Sequence, residues 1–556
     1  MKTLLSILIA TLIVTSGLFA EESADTQRLT IFFTNDIHGG IVPQRAEFLN
    51  PDFPPTLGGG PAVATILKGA RAKAAQENAI TLMIDGGDTY QGTLVGTESK
   101  GMAVVEYMNM IGYDASVPGN HEFDLGKDVF IEMVKASKFS WIAANIYNSE
   151  TGERWEWVEP WTILEKGGMR IGITGVATTG TAAMSFAKNI EGLEFRNEIL
   201  ALEETVAELR KQNVDLVISI GHVALPFDPR EGYEELKQQT YEKVTQSRFV
   251  NSMEIAHFVE GIDILLGGHL HKGYEQVWED PKNHTICLQN YANGGNLGWI
   301  DFEIDRPTRS IAGYNYVADN NSLLLLQQEQ FWPDSTMQAF VDKKIDQYEK
   351  DFRDVIGLTK GGLTRSSTGE GVMNNLVCDA MLASVEGSDF SFMNFGGIRA
   401  EIQAGPITKE NVFRVMPFDN EITSFQANGA YIKMLLERKL NGSGRGMVTG
   451  GAKIVFNRNL PNGERVTSIT VNGEELDAKK MYTLVTTDYL MGGNSGLTML
   501  RAIPRARVNF TGKLLRNSIE EYIRANTPLD LQTDGRWKKD DGAKPTDEWK
   551  AKFEKK

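Results

Sequence analysis

Between Arg28 and about Ile304, short apolar runs alternate with polar turns and stretches of helical spacing. The runs are Leu29 to Phe33, Ile80 to Ile84, Arg170 to Val176, Val214 to Ile220 and Ile262 to Leu266. Each is short, carries β-branched residues and is bounded by Gly, Asn or Asp, as a buried strand would be. Gly101 to Met110 and Ile199 to Gln212 place apolar residues at helical spacing between them. Strands alternating with helices imply an α/β layered core.

The pattern changes after Asn320. Gln328 to Asp351 is polar and helix-favouring, with one proline at Pro333, and reads as a connecting helix or a surface helix of the first unit. A second α/β unit follows from about Val355 to Asp530. Its strand-like runs are Phe390 to Met393, Lys453 to Phe456, Val466 to Val471 and Tyr482 to Thr486, with helical spacing at Met373 to Val385 and Ala430 to Lys439. The expected division is a leader at 1–20, a first domain at 27–322, a connecting helix at 323–354, a second domain at 355–530 and a polar tail at 531–556.

Composition adds three constraints. A chain of 556 residues, 41% of them hydrophobic, has material for more than one core. A formal net charge of −16 repels nucleic-acid backbones and anionic membranes, so a small anionic substrate is admissible only where local cations offset the field. Met1 to Ala20 has a lysine near its start, an apolar stretch from Leu4 to Val14 and a small-residue cleavage site, the pattern of a secretory signal. That stretch is shorter than the ~20 residues a spanning helix needs. The mature protein is therefore expected to be exported, periplasmic or secreted, with no membrane span and, given its polar end, no glycolipid anchor. Cys287 and Cys378 are the only cysteines and read as buried free thiols.

Chemistry gathers at the strand ends. Thr34-Asn35-Asp36-Ile37-His38-Gly39 follows the first run and Asp85-Gly86-Gly87-Asp88 the second. Pro118-Gly119-Asn120-His121-Glu122-Phe123-Asp124 follows Asp114 to Val117. Gly221-His222 and Gly267-Gly268-His269-Leu270-His271 end the last two runs. Ligands of open α/β sheets bind outside the carboxyl ends of strands. Of seven histidines, five (His38, His121, His222, His269, His271) hold this position, which favours metal ligation over scattered structural roles. Asp36, His38, Asp88, Asn120, His222, His269 and His271 exceed the three or four protein ligands of one catalytic zinc, so two metals fit better. Mixed oxygen and nitrogen donors suit divalent Zn, Mn, Fe, Co or Ni.

These blocks, Asp-x-His, Gly-Gly-Asp, Gly-Asn-His-Glu, Gly-His and Gly-His-x-His in that order, resemble the calcineurin-like metallophosphoesterases over about residues 28–304. Within that family the chain is similar to the 5′-nucleotidase and UDP-sugar hydrolase branch. The resemblance implies a four-layer α/β/β/α metallophosphatase domain followed by a second α/β nucleotidase domain. It also implies that Asp36, His38, Asp88 and His271 hold one metal, and that Asp88 bridges to a second held by Asn120, His222 and His269. His121 and Asp124 match the family's catalytic dyad, with a hydroxide between the cations as the in-line nucleophile. Glu122 and Asp85 read as supporting or solvated carboxylates.

The second domain has its own matching blocks. Asn394-Phe395-Gly396-Gly397-Ile398-Arg399 resembles the nucleotidase Asn-x-Gly-Gly-Ile-Arg segment, where arginine suits bidentate phosphate binding. Met416-Pro417-Phe418-Asp419-Asn420 matches the segment whose aromatic stacks on the base, making Phe418 one wall and Asn420 a neighbouring contact. Arg365 reads equally as a second substrate arginine or a surface loop residue. The last block departs from the family: the spacer after Tyr489 is one residue short, and Asn494 stands where a ribose-contacting aspartate is expected. Whether Tyr489 forms the second wall stays open at this level.

The sequence thus points to an exported two-metal hydrolase of nucleotide phosphoesters, most simply a 5′-nucleotidase. Alternatives on the same fold are a UDP-sugar hydrolase, a 2′,3′-cyclic-nucleotide phosphodiesterase, a thiosulfohydrolase-like enzyme and a non-catalytic binding protein. The intact Gly119-Asn120-His121 block and the full ligand set argue against the last two.

Overall fold

The strand Thr26–Thr34 lies within the first sheet, pairing antiparallel with Asn296–Asp305 on one side and parallel with Ile80–Asp85 on the other. The computed structural model describes residues 26–46, 49–50, 53–247, 249–367, 370–441 and 447–553; the leader expected at Met1 to Ala20 lies outside them. Beyond Ile80–Asp85 the parallel order continues through Ala115–Ser116 to Ser140–Trp141. A second sheet runs Trp278–Glu279, Ile286–Leu288, Ile264–Leu266, Leu216–Gly221, Met169–Val176 and Trp161–Lys166, parallel through its middle and antiparallel at both edges.

The period-2 alternation of side chains decides how these sheets stack. Leu29, Ile31 and Phe33 point into one buried cluster with Ile171, Ile173, Ile218 and Ile264, which seals the sheets face to face. Phe32 and Met83 point the other way, against Val104 and Phe130 of the helices Met102–Ile111 and Lys127–Ala136. Val217 and Leu265 do the same for Glu198–Lys211 and Ser252–Phe258 on the far side. The first domain is therefore an α/β/β/α sandwich. Each fully buried Ile or Phe contributes about 1.5–3 kcal/mol, so truncating Ile218 to alanine would cost about 2–5 kcal/mol.

Parallel register puts the strand ends on one edge. Thr34 pairs with Asp85 and Asp85 with Ser116, while Gly221 pairs with Val176 and Ile220 with Leu266. Every motif loop leaves from that edge.

The segment 323–354 is built onto the first domain. Leu323–Leu325 pairs with Asn296–Asp305, and the helix Ser335–Tyr348 packs against Gly59–Gln76, with Met337 and Val341 in the first core. Asp334 starts this helix by accepting from the Thr336 and Met337 N–H groups, both at 3.0 Å. The second domain carries a sheet ordered Met447–Gly450, Phe390–Asn394, Met481–Thr487, Glu421–Asn428 and Val508–Leu514, with the helices Val372–Ala383 and Leu515–Asn526 in its core.

The stretch expected as a polar tail instead folds. Trp537–Lys539 pairs with Ala452–Phe456, and Trp549 of the helix Asp547–Phe553 is 3% exposed. Two tryptophans supply the anchors among lysines and aspartates that set the average polarity. Cys287 and Cys378 are both free and buried. Among the described residues no helix is long and apolar enough to cross a membrane.

Candidate metal centre and substrate cleft

Backbone conformation distinguishes the loops at this edge. Asp36, His38, Asp88, His269 and His271 all have positive φ, at 51°, 49°, 56°, 75° and 58°. Side chains other than glycine rarely sit there, and each instance costs roughly 1–3 kcal/mol unless the surroundings enforce it. Here the loops enforce one another. The Asp36 N–H donates to the Gly87 carbonyl at 2.8 Å, and the His38 N–H to the Asp88 carbonyl at 3.0 Å. Gly119 must be glycine, because a Cβ there would lie 2.2 Å from Asp88 Oδ1.

The turns bring two ligand groups together. Asp36, His38 and His271 form one and Asp88, His222 and His269 the other, each with its ligand atoms within 4.8 Å of one another. His38 Nε2 and His271 Nε2 lie 2.9 Å apart, with Asp36 Oδ1 3.4 Å from the latter. Asp88 Oδ2 is 3.1 Å from His222 Nε2 and 4.0 Å from His38 Nε2, so it faces both groups. Hydrogen bonds set the rings. His38 Nδ1 meets the Gln91 carbonyl at 2.6 Å and His222 Nδ1 the Gly86 carbonyl at 2.7 Å, which turns both Nε2 atoms towards Asp88 Oδ2.

These residues fit divalent cations on internal grounds. Asp36 Oδ2 accepts from Asn35 Nδ2 and the His269 N–H, both at 2.8 Å, whereas Oδ1 is buried with no hydrogen-bond partner among the described residues. The Asn120 Oδ1 is likewise buried and without one among the described residues. Burial pushes the Asp36 carboxyl up to about 6 although the His222 charge draws it back. Burial drives His38 down to about 3 against the pull of Asp88. His222 goes the other way: burial would lower it, but Asp88 holds its imidazolium up to about 10. Acceptors without donors, a neutral His38 and a His222 that takes up a proton beside Asp88 make a pocket that positive charge completes.

Glu122 holds this frame. Fully buried, it accepts from the Asp88 and Thr89 N–H groups at 2.9 and 2.8 Å, from Thr89 Oγ1 at 2.9 Å and from the Gly119 N–H at 2.6 Å. Asp85 is supporting too, accepting from Thr34 Oγ1 and Ser116 Oγ behind the loops.

His121 stands beside both groups, its Nε2 4.0 Å from Asp88 Oδ2 and its Nδ1 2.6 Å from Asp124 Oδ2. Burial lowers its pKa, but the Asp124 and Asp88 charges outweigh that and raise it above the ordinary value. Phe418 of the second domain lies on the His121 ring, centroids 5.9 Å apart and planes at 22°. The Arg399 guanidinium lies 5.8 Å from the Phe418 centroid. Burial lowers the Arg399 pKa, while the charges of Asp88, Asp124 and Asp36 pull it back, so the guanidinium lies within their electrostatic reach. Arg365 lies close enough to repel Arg399, with its guanidinium 5.5 Å from the Phe395 ring.

Tyr489 does face the cleft. Its ring meets Phe186 of the first domain edge-on at 6.0 Å, and its phenol feels the charges of Asp124 and Arg399. Asn394 Oδ1 and Asn494 Oδ1 are buried acceptors without hydrogen-bond partners among the described residues. Asn420 is buried at the head of Glu421–Asn428, its carbonyl taking the Leu515 N–H at 2.9 Å. Sequence reasoning missed Gln91 and Phe186. Neither residue type advertises a cleft, and only the docking of the domains gives them their place.

A sandwich that presents histidines and carboxylates for divalent cations beside a His–Asp pair belongs to the metal-dependent phosphoester hydrolases. Residues 29–273 match the calcineurin-like phosphoesterase model and residues 355–502 the 5′-nucleotidase C-terminal domain. The chain is a member of the calcineurin-like metallophosphoesterases of the 5′-nucleotidase type. It is similar to the snake venom 5′-nucleotidase of Gloydius brevicauda, 27% identical with 90% of this chain and 87% of that protein covered. It is also similar to the 5′-nucleotidase of Homo sapiens, 28% identical with 88% of each covered. The fold is shared with a crystal structure of a 5′-nucleotidase precursor from Thermus thermophilus, at a TM-score of 0.79 and 23% identity over 92% of this chain and 99% of that one.

Proposed function

We propose that the protein is an exported 5′-nucleotidase that releases phosphate from nucleoside 5′-monophosphates at a dinuclear centre. The observation that carries this reading is the seating of Phe418 over His121, which joins a base-stacking ring to the dyad across two domains. Asp36, His38 and His271 would hold one divalent cation and Asn120, His222 and His269 the other, with Asp88 between them. Such a pair supplies neutralisation of the phosphoryl oxygens and a nucleophile at neutral pH.

The chain's own groups do the rest. Asp124 fixes His121 with its proton-bearing Nε2 towards the centre, and the raised pKa keeps that proton available near neutrality. From there it passes to the ribose 5′ oxygen as the P–O bond breaks. Arg399 places fixed positive charge on the phosphoryl oxygens, with Arg365 behind it. Phe418 and Tyr489 give the base its apolar contacts, and Asn394 and Asn494 offer acceptors for the sugar hydroxyls. The apolar leader at Met1 to Ala20 supports export.

A panel of nucleoside 5′-monophosphates, UDP-sugars, 2′,3′-cyclic nucleotides and an aryl phosphate, each with Mn, Co or Zn, tests the substrate. Highest kcat/KM on a 5′-monophosphate is expected, and preference for either other nucleotide class overturns it. N-terminal sequencing of protein recovered outside the cytoplasm tests export.

A further inference from the structure

Gln91 touches both halves of the cleft. It lies in the loop after Asp88 and is 2% exposed. Its backbone carbonyl receives His38 Nδ1 at 2.6 Å, while its side-chain Nε2 donates across the domain boundary to the Pro417 carbonyl at 3.1 Å. The same loop grips His38 again, through the Thr93 N–H on the His38 carbonyl at 3.1 Å. Immediately afterwards the helix Leu94–Glu98 packs against Lys409–Val415, the helix that leads into Met416, Pro417 and Phe418.

The Pro417 carbonyl belongs to the rigid peptide plane that also contains the Phe418 nitrogen. Proline fixes its own φ, so little freedom remains on the preceding side. A bond to that oxygen therefore sets the direction in which Phe418 leaves the chain. The amide is a costly choice for mere packing: Gln91 Oε1 is buried and has no hydrogen-bond partner among the described residues. A buried amide satisfied at one end is worse for stability than a hydrocarbon of the same shape.

We propose that Gln91 is a positioning residue, a latch that holds the Pro417–Phe418 segment over the metal centre and ties it to the loop that orients His38. The inference rests on the nucleotide reading of Phe418 given above. A rotation of the second domain that carries the Pro417–Phe418 backbone away from His121 must break the Gln91 bond, so the bond favours the closed arrangement. A neutral hydrogen bond of this kind is worth roughly 3- to 10-fold in that equilibrium.

The test uses full-length Gln91→Met, which keeps the shape and removes the donor. KM and kcat are measured on adenosine 5′-monophosphate and on p-nitrophenyl phosphate. Separately, spin labels at Lys68→Cys and Lys538→Cys, exposed positions on the two domains, report the inter-domain distance without substrate. The native cysteines are buried. The expected result is a roughly 3- to 10-fold rise in KM for the nucleotide, a clearly smaller loss on the aryl phosphate, and longer, broader distances. If Gln91→Met does not fold, Gln91→Glu keeps the size and sets a carboxylate against the Pro417 carbonyl, with the same changes expected in larger measure. Unmoved distances with equal losses on both substrates overturn the latch. Lengthened distances in a protein whose wild type shows no nucleotide preference uphold the latch and defeat the nucleotide reading instead.

Discussion

Phe418 and His121 lie ring on ring, 5.9 Å between centroids, although 297 positions separate them (418 − 121) and they belong to different domains. The contact carries a direct expectation. Base stacking is worth ~1–3 kcal/mol, so Phe418→Ala should raise KM for a nucleotide roughly 5- to 150-fold at ~1.4 kcal/mol per decade. The aryl phosphate, which has no base to stack, should lose far less. Equal losses on both in steady-state assays would make Phe418 a part of the fold and nothing more.

Metal removal should abolish hydrolysis. Dialysis against a strong chelator is expected to remove activity, and Mn, Co or Zn to restore it. The melting temperature should fall as well, because ions bound only by the folded state stabilise it. Full activity after dialysis, with metal absent by mass spectrometry, would contradict the dinuclear centre.

His121→Ala should lower kcat by roughly 10²–10⁴, the range for lost general acid–base help, with two metals still bound. Asp124→Asn tests the sign of the His121 shift. Burial lowers that pKa and the Asp124 charge raises it, so removing the charge leaves burial dominant. The protonated acid then disappears at lower pH, and the alkaline limb of the kcat profile should move down. An upward move would mean that Asp124 does not keep the proton on His121.

Glu122→Ala takes one carboxylate from four buried donor contacts. Buried donors left unpaired cost about 2–5 kcal/mol in total. A lower melting temperature and a reduced metal content are expected together, since the freed loops carry Asp88 and Asn120. Wild-type values for both would show that other contacts hold those loops.

Much of this is legible in the order of residues. Near-continuous apolar runs such as Leu29 to Phe33 mark strands whose two faces are both buried, and parallel order then sends every strand-end motif to one edge. The strands Asn296–Asp305 and Glu421–Asn428 escape such a reading because they mix charged and polar residues into a weaker alternation. Trp537 and Trp549 are hidden because two apolar side chains scarcely change the average of a lysine-rich stretch. Tyr489 is undecided in sequence for another reason: a spacer length gives no direction, and it is Phe186, far away in the chain, that props the ring in the cleft. Gln91 cannot be read at all, because its partner is a backbone carbonyl of the other domain.

The helix Ser335–Tyr348 has a consequence for anyone wishing to divide the chain. With Leu323, Met337 and Val341 inside the first domain's cores, a cut near Asn321 would strip away a paired strand and a packed helix, exposing apolar surface they now cover. The natural seam lies between Tyr348 and Val355. Exchange of recognition modules among relatives, in the laboratory or by recombination, should tolerate crossovers at that seam and reject those made only a few turns earlier.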